Sequence, residues 1–456
     1  MEDRNELLAK GSVWKTLFKL SLPIIISQLI NVLYNIVDRI YIGQGISQEA
    51  FSGVGIAFPI IIIVTSFAGL FGMGGAPLAS IKLGEKNKEE AQKIMNNSFN
   101  SLIYVGLLLT LIVTIFTTPI LHLFGANSLI INYAYDYLFI YSLGSVSVML
   151  AVGMNSYITA QGYTKTAMLS VIIGAILNII LDPIMIYGFH LGVKGAAIAT
   201  VISQTVSAIY VVLFLSSKKS GLRLDYSKFG RINVKTLFAI MALGVSPFIM
   251  QSTEAAVQIV FNKGIGAYTS EADSVVYLAL MTSLLSLMQF IMLPMQGLVQ
   301  GAQPLLSYNY GANNIPRVKE SFKKLFILTV GFSFMCFLLI ELIPSQLVSI
   351  FNKSDELMVI APKLTRIFFL GFSIMGIQMA CQNTFLALGQ SVVSLILALL
   401  RKVVLLIPLA LILPHFMGVN GVFIAEAIAD CLAVLVTSIT FLCLIKKILN
   451  KRAKTS

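Results

Sequence analysis

At 456 residues the chain is long enough for two or three soluble domains, yet 57% of it is hydrophobic, only 11% is charged and its mean hydropathy is +0.88. Soluble proteins carry about 25% charged residues, so that class is excluded, and repeated apolar runs of 18 or more residues point to transmembrane helices. The net charge of +12 invites a nucleic-acid reading, but its distribution along the spans argues against one.

Residues 1–13 are polar, with Glu2, Asp3, Arg4, Glu6 and Lys10, which does not fit a cleavable signal peptide. Twelve spans then follow, over 14–40, 51–81, 95–118, 130–157, 165–189, 194–216, 234–262, 275–305, 320–343, 360–386, 391–413 and 419–445. With the N-terminus inside, 24 of the 32 Lys and Arg residues fall in cytoplasmic segments or at their span ends, and six fall outside. That asymmetry is the positive-inside rule. It predicts a multi-pass membrane protein with both termini cytoplasmic.

In span one, Gln28, Asn31, Asn35 and Asp38 are spaced 3, 4 and 3, which places them on one helix face. Span five carries Asn178 and Asp182, one turn apart within an apolar stretch, with Pro183 next. A charge at the bilayer centre costs about 2.5–3.5 kcal/mol on insertion scales, so such residues usually face a polar cavity. Pro183 lacks the amide that would satisfy the carbonyl of Ile179. Spans one and five both rise outward and span six descends, so Asp38, Asn178, Asp182 and Thr200 fall at similar depth in the outer half of one bundle. Two carboxylates, an amide and a hydroxyl at one level suit either Na⁺ or a protonatable pair, because two close carboxylates in low dielectric do not both ionise cheaply.

Span seven repeats the polar face with Gln251, Glu254, Gln258 and Asn262, and span eight carries Gln289, Gln296, Gln300 and Gln303. Such faces in lipid must meet each other or water, so they are expected to line a central substrate cleft together with Gln28 and Asn31. Met281, Met288, Met292 and Met295 accompany the glutamines, where packing is the simpler reading. Arg401 and Lys402 in span eleven lie at the depth of Glu426 and Asp430 in span twelve. They are expected to form a charge cluster that either neutralises itself or takes part in coupling. The cysteines at 336, 381, 431 and 443 have no metal-ligand spacing and the three histidines are isolated, so no metal site and no cofactor are expected. No HExxH, GxSxG or P-loop pattern is present, which argues against an enzyme.

The two halves correspond at an offset of about 227 residues. Gly74, Pro77, Ser80 and Asn87 match Gly301, Pro304, Ser307 and Asn314, while Gly144 and Gly162 match Gly371 and Gly389. Pro23 pairs with Pro247 at an offset of 224. The expected organisation is all-α: an N-lobe over 1–217 (spans one to six), a basic cytoplasmic linker over 218–234, and a C-lobe over 235–456 (spans seven to twelve). An even number of spans per repeat gives a parallel repeat.

The motifs Leu33-Tyr34-Asn35-Ile36-Val37-Asp38, Leu177-Asn178-Ile179-Ile180-Leu181-Asp182-Pro183 and Gly195-Ala196-Ala197-Ile198-Ala199-Thr200 resemble the multidrug and toxic compound extrusion (MATE) family, in its DinF-like and bacterial exporter branch. The similarity covers essentially the whole chain. It implies a V-shaped pair of six-helix lobes that alternates between outward- and inward-open states. It also implies export of organic cations in exchange for H⁺ or Na⁺. The matching positions would make Asp38, Asn178, Asp182 and Thr200 the cation site, with Tyr34, Asn35, Tyr137 and Asn155 around it. Glu254 is similar to an acid in span seven of the NorM-like branch. A flippase of lipid-linked oligosaccharides or cell-wall precursors, from the same superfamily, is the alternative. The expected partners are the lipid bilayer and an organic cation, with no nucleic acid, and a monomer is expected.

Overall fold

The computed structural model describes residues 2–124, 126, 128–351 and 355–454, and every regular element among them is helical. A short helix, α1 (Glu2–Ala9), precedes α2 (Val13–Gly45), α3 (Gln48–Gly84), α4 (Lys88–Leu123), α5 (Ile131–Leu143), α6 (Ser145–Ala160), α7 (Thr164–Pro183) and α8 (Val193–Ser216). The second half comprises α9 (Val234–Ala267), α10 (Glu271–Gly311), α11 (Ile315–Leu342), α12 (Pro344–Ser349), α13 (Asp355–Phe369), α14 (Phe372–Ala387), α15 (Ser391–Leu399), α16 (Ile407–Ile412), α17 (Pro414–Met417) and α18 (Asn420–Lys454). Among the described residues eleven stretches are long and apolar enough to cross a bilayer, and α5 with α6 makes the twelfth, bent by 58°.

The polar N-terminal segment is itself structured. Leu8 of α1 is buried against Val13, Leu20, Leu305 and Tyr308. Arg317 of α11 donates to the carbonyls of Leu8, Lys10 and Gly11 at 2.8, 2.9 and 2.8 Å. The start of the chain is thereby fixed to the second half.

The duplication extends to the backbone. Left-handed φ angles occur at Lys86 and Asn313 (59° and 54°), Gly162 and Gly389 (80° and 73°), and Gly192 and Gly418 (57° and 59°). Asn87 and Asn314 cap α4 and α11 with their side chains, and Ser80 and Ser307 donate to the carbonyls of Ala160 and Ala387. The fourth span, expected as one helix, breaks at Gly144, and the tenth breaks at its counterpart Gly371. A Cβ on Gly144 would lie 2.7 Å from the Val201 side chain, and one on Gly371 would lie 2.6 Å from Asp430 Cβ. Glycine at each break therefore lets α8 or α18 pass against it.

Beside two small clusters, two large hydrophobic cores result among the described residues. One is built on residues from Ile42 to Ile240 and the other mainly on residues from Val257 to Leu449. The first long helix of each half serves both. Leu17 of α2 lies in the second core and Ile42 in the first, while Ile240 of α9 lies in the first and Val257, Phe261 and Ile265 in the second. Each helix carries a proline before its crossing, Pro23 and Pro247.

At the face holding both termini the halves are closely joined. Ser21 Oγ donates to the Leu298 carbonyl at 3.3 Å, and Arg452 pairs with Glu85 at 2.7 Å. A Cβ on Gly244 would sit 1.8 Å from the Leu70 carbonyl oxygen, so α9 and α3 touch backbone to backbone. Towards the opposite face α2 and α9 have each returned to their own core, and Glu254, Gln258 and Gln289 are exposed. The V-shaped pair of lobes is therefore closed at the termini and diverges away from them.

The linker is tied to α4 by a row of amides. Asn100 donates to the carbonyls of Lys228 and Arg231, and Gln92 to that of Arg223. Asn96 and Asn97 accept from the amides of Asp225 and Asn233.

Candidate cation site and cleft

Asp182 closes the last turn of α7, and after Pro183 the chain continues as a wide five-residue-ladder helix over Ile184–Gly188. Such local widening is frequent at functional sites. The proline makes the expected break in the hydrogen-bond ladder, and the Asp182 side chain lies within the bundle, where it has no exposure.

Asp38, Asn178, Asp182 and Thr200, from α2, α7 and α8, converge and are all buried. Asn178 Nδ2 donates to Asp182 Oδ1 at 3.1 Å and to Thr200 Oγ1 at 3.5 Å. The carboxyl groups of Asp38 and Asp182 are electrostatic neighbours. Asp38 Oδ1, Asp182 Oδ2 and Asn178 Oδ1 are buried with no donor. Buried oxygens of this kind are costly unless something positive meets them. Among the described residues no lysine or arginine is ion-paired with either aspartate. Arg39, next in the chain to Asp38, lies over the Phe58 ring at 4.5 Å instead.

The surrounding residues divide. Tyr137 of α5 is buried and is an electrostatic neighbour of Asp38, and Tyr34 receives a 3.4 Å hydrogen bond from Gln204. Asn35 donates to the Asn31 carbonyl of its own helix at 2.6 Å. Asn155 instead ties α6 to α7, donating to Ser170 Oγ at 2.6 Å and to the Ala167 carbonyl at 3.0 Å. Ser170 lies two turns, roughly 12 Å, along α7 from Asn178, so Asn155 braces the helix and does not reach the carboxyl pair.

Of the residues expected in the cleft, Glu254, Gln258 and Gln289 are exposed, whereas Gln28, Asn31, Gln251, Gln296 and Gln300 are half-buried. The Gln251 amide packs beside Gly69 of α3, near the Phe67–Phe248 ring contact at 5.0 Å that joins the halves. These groups mark the deep end of the cleft. Met281 and Met295 are fully buried in the second core, and Met288 and Met292 pack against it, so the methionines are packing residues. The charge cluster forms. Arg401 bonds Asp430 at 2.7 Å and Glu426 at 3.3 Å, and Lys402 bonds Glu254 at 2.8 Å. Arg401 and Lys402 lie in a second wide segment, Leu400–Leu406. As successive residues on a helix they point about a quarter-turn apart, which lets one reach α18 and the other α9.

The family model for MatE matches residues 23–184 and 236–412. The chain belongs to the MATE family. It is 27% identical over 431 residues to a multidrug export protein MepA of Staphylococcus haemolyticus, covering 94% of each chain. A crystal structure of a MATE protein in the bent conformation superposes with a TM-score of 0.91 at 22% identity over 99% of both chains. An outward-facing multidrug-resistance MATE transporter superposes at 0.89 with 22% identity, over 97% of this chain and 98% of that one. The protein is a multi-pass membrane transporter of this family. The linker-binding amides of α4 are the feature that sequence reasoning missed. Their spacing at 92, 96, 97 and 100 on one helix face was the available signal.

Proposed function

We propose that this MATE-family chain exports amphipathic organic cations by antiport with H⁺, with Asp38 and Asp182 as the proton-carrying pair. The observation that carries the reading is the set of buried, donor-free oxygens on Asp38, Asp182 and Asn178. A proton held between the two carboxyls satisfies two of these oxygens at once, and removing it leaves a negative site that draws in a cation. Na⁺ is the second reading, favoured by the Asn178 and Thr200 oxygens beside the pair, since hard oxygen ligands suit it. The relatives' description as multidrug exporters supports drug-like cargo.

The positive-inside asymmetry assigns the face with both termini to the cytoplasm. The cleft then opens outward, and the Arg452–Glu85 and Ser21–Leu298 contacts close the inner side. Expelling a monovalent cation against an inside-negative potential costs about 2.3 kcal/mol per 100 mV, and one entering H⁺ or Na⁺ offsets this electrical part. Both basic residues of the C-lobe cluster are already ion-paired, which disfavours recognition of a lipid pyrophosphate. Ethidium efflux from proteoliposomes, with pH and Na⁺ gradients imposed separately, tests the reading. Loss of gradient-driven efflux in Asp38→Asn and Asp182→Asn is the expected result; wild-type pumping by both variants rejects it.

A further inference from the structure

The carboxylates of the two halves differ in their company. Asp38 and Asp182 have no basic ion-pair partner among the described residues, whereas Glu254, Glu426 and Asp430 each have one. Three carboxylates nevertheless share two bases, so this network is one positive charge short. Its arms are unequal. Arg401 is enclosed between Glu426 and Asp430, with all three side chains 6% exposed or less. In the other arm the Lys402 side chain is 7% exposed while its partner Glu254 is 56% exposed. The ammonium therefore reaches Glu254 from the wall, and the carboxylate opens onto the cleft.

A cation arriving from the cleft meets Glu254 on its open side. Lys402 has a second destination, because it is already an electrostatic neighbour of Glu426, which shares Arg401 with Asp430. With the incoming charge counted, three carboxylates face three cations and the deficit disappears. A lysine suits such a transfer: its ammonium is a compact charge with three donors on a flexible stem, unlike the rigid guanidinium fork.

The pair also lies where α9 changes sides. Phe248 packs against the first core and Val257 belongs to the second, and Glu254 lies between them. Lys402 is thus the ionic link from the second core to the crossing helix. We propose that Glu254 is the C-lobe receptor for the cargo's cationic group, that Lys402 is an internal cation displaced from it, and that this exchange frees α9 from the wall. The proposal rests on the reading of the cargo as an organic cation.

Ethidium and tetraphenylphosphonium binding to the purified full-length protein, by fluorescence anisotropy and by competition, tests it. Lys402→Met removes the internal competitor and leaves Glu254 facing water, so ethidium binding is expected to tighten by about tenfold, the scale of one close charge pair. Lys402→Arg, a more tenacious competitor, is expected to weaken it. In the Glu254→Gln protein there is no carboxylate left to compete for, so adding Lys402→Met there leaves ethidium binding unchanged. A purely structural salt bridge gives the opposite order, with the methionine variant weakened and the arginine variant like wild type, and that order overturns the proposal. If the wild-type protein and all variants bind neither cation, the cargo reading falls and takes the exchange with it. If the wild-type protein binds and Lys402→Met does not tighten, only the exchange falls.

Discussion

Asp182 has no exposure to solvent, and the Asn178 amide donates to it at 3.1 Å. That amide fixes the Asp182 carboxyl by one oxygen and leaves the other without a donor, as Asp38 Oδ1 is, which is where the proposed coupling cation would be held. Asn178→Leu should therefore damage coupling more than Thr200→Val does. A hydrogen bond to a charged group contributes about 1.5–3 kcal/mol, so the leucine variant is expected to lose roughly tenfold or more in efflux rate. Under proton coupling Thr200→Val keeps efflux within about threefold, since only a neutral hydroxyl is lost. Equal losses in the two variants, measured as initial ethidium efflux at matched expression, would favour direct ligation by Thr200 and hence Na⁺.

At the scale of elements, the same devices occur in both halves because each repeat meets the same steric problem twice. At the break beside Gly371, α18 passes so close that a Cβ there would lie 2.6 Å from Asp430 Cβ. Gly371→Ala is expected to cost about 1–3 kcal/mol through overpacking, read as a lower melting temperature in detergent. It should also disturb the Arg401–Asp430 bond. The amide row on α4 explains a run, Asn96-Asn97-Ser98-Phe99-Asn100-Ser101, that would be hard to place against lipid. Asn100 holds two linker carbonyls, at 3.0 and 2.9 Å. Asn100→Leu leaves both without that donor, and trypsin should then cut after Lys228 or Arg231 under conditions in which the wild-type linker resists. Equal resistance in the variant would mean that the remaining amides are enough to hold the segment.

For the whole molecule, the decisive feature is that the halves meet only partly along their length. Arg452 of α18 joins Glu85 at the end of α3 and donates to the carbonyls of Tyr310 and Gly311, so one guanidinium ties the last helix to both halves at the terminal face. Burial pushes the Glu85 carboxyl up, but Lys82 and Arg452 outweigh it and hold the group below the ordinary glutamate value. A carboxyl lowered by folding stabilises the closed face above its unfolded value, about 4.3, and loses that contribution only as pH falls through the lower folded value. The clamp therefore stays charged across the range in which a transporter works. Glu85→Gln is expected to shift the population toward opening at the terminal face, seen as faster labelling of a cysteine placed beside Tyr310. The shape of the efflux profile between about pH 5.5 and 8 should not change, because Glu85 does not titrate there. A changed profile would move part of the pH dependence from the carboxyl pair to the clamp.

The polar residues of spans one, five, seven and eight were legible in the sequence, because a charge or amide in an apolar span stands out against its neighbours and helical spacing fixes which residues share a face. The duplication was legible for a related reason: glycines, prolines and caps that repeat at one offset reflect the same backbone conformations built twice. Other features depended on distances between segments far apart in the chain. Periodicity does not say that Asn155 turns to Ser170, that Arg317 holds the first helix, or that α2 and α9 each divide their length between two cores. The pairing of Lys402 with Glu254 belongs with these. Composition sets which residues need a partner in lipid, but only the packing of helices decides which partner each one meets.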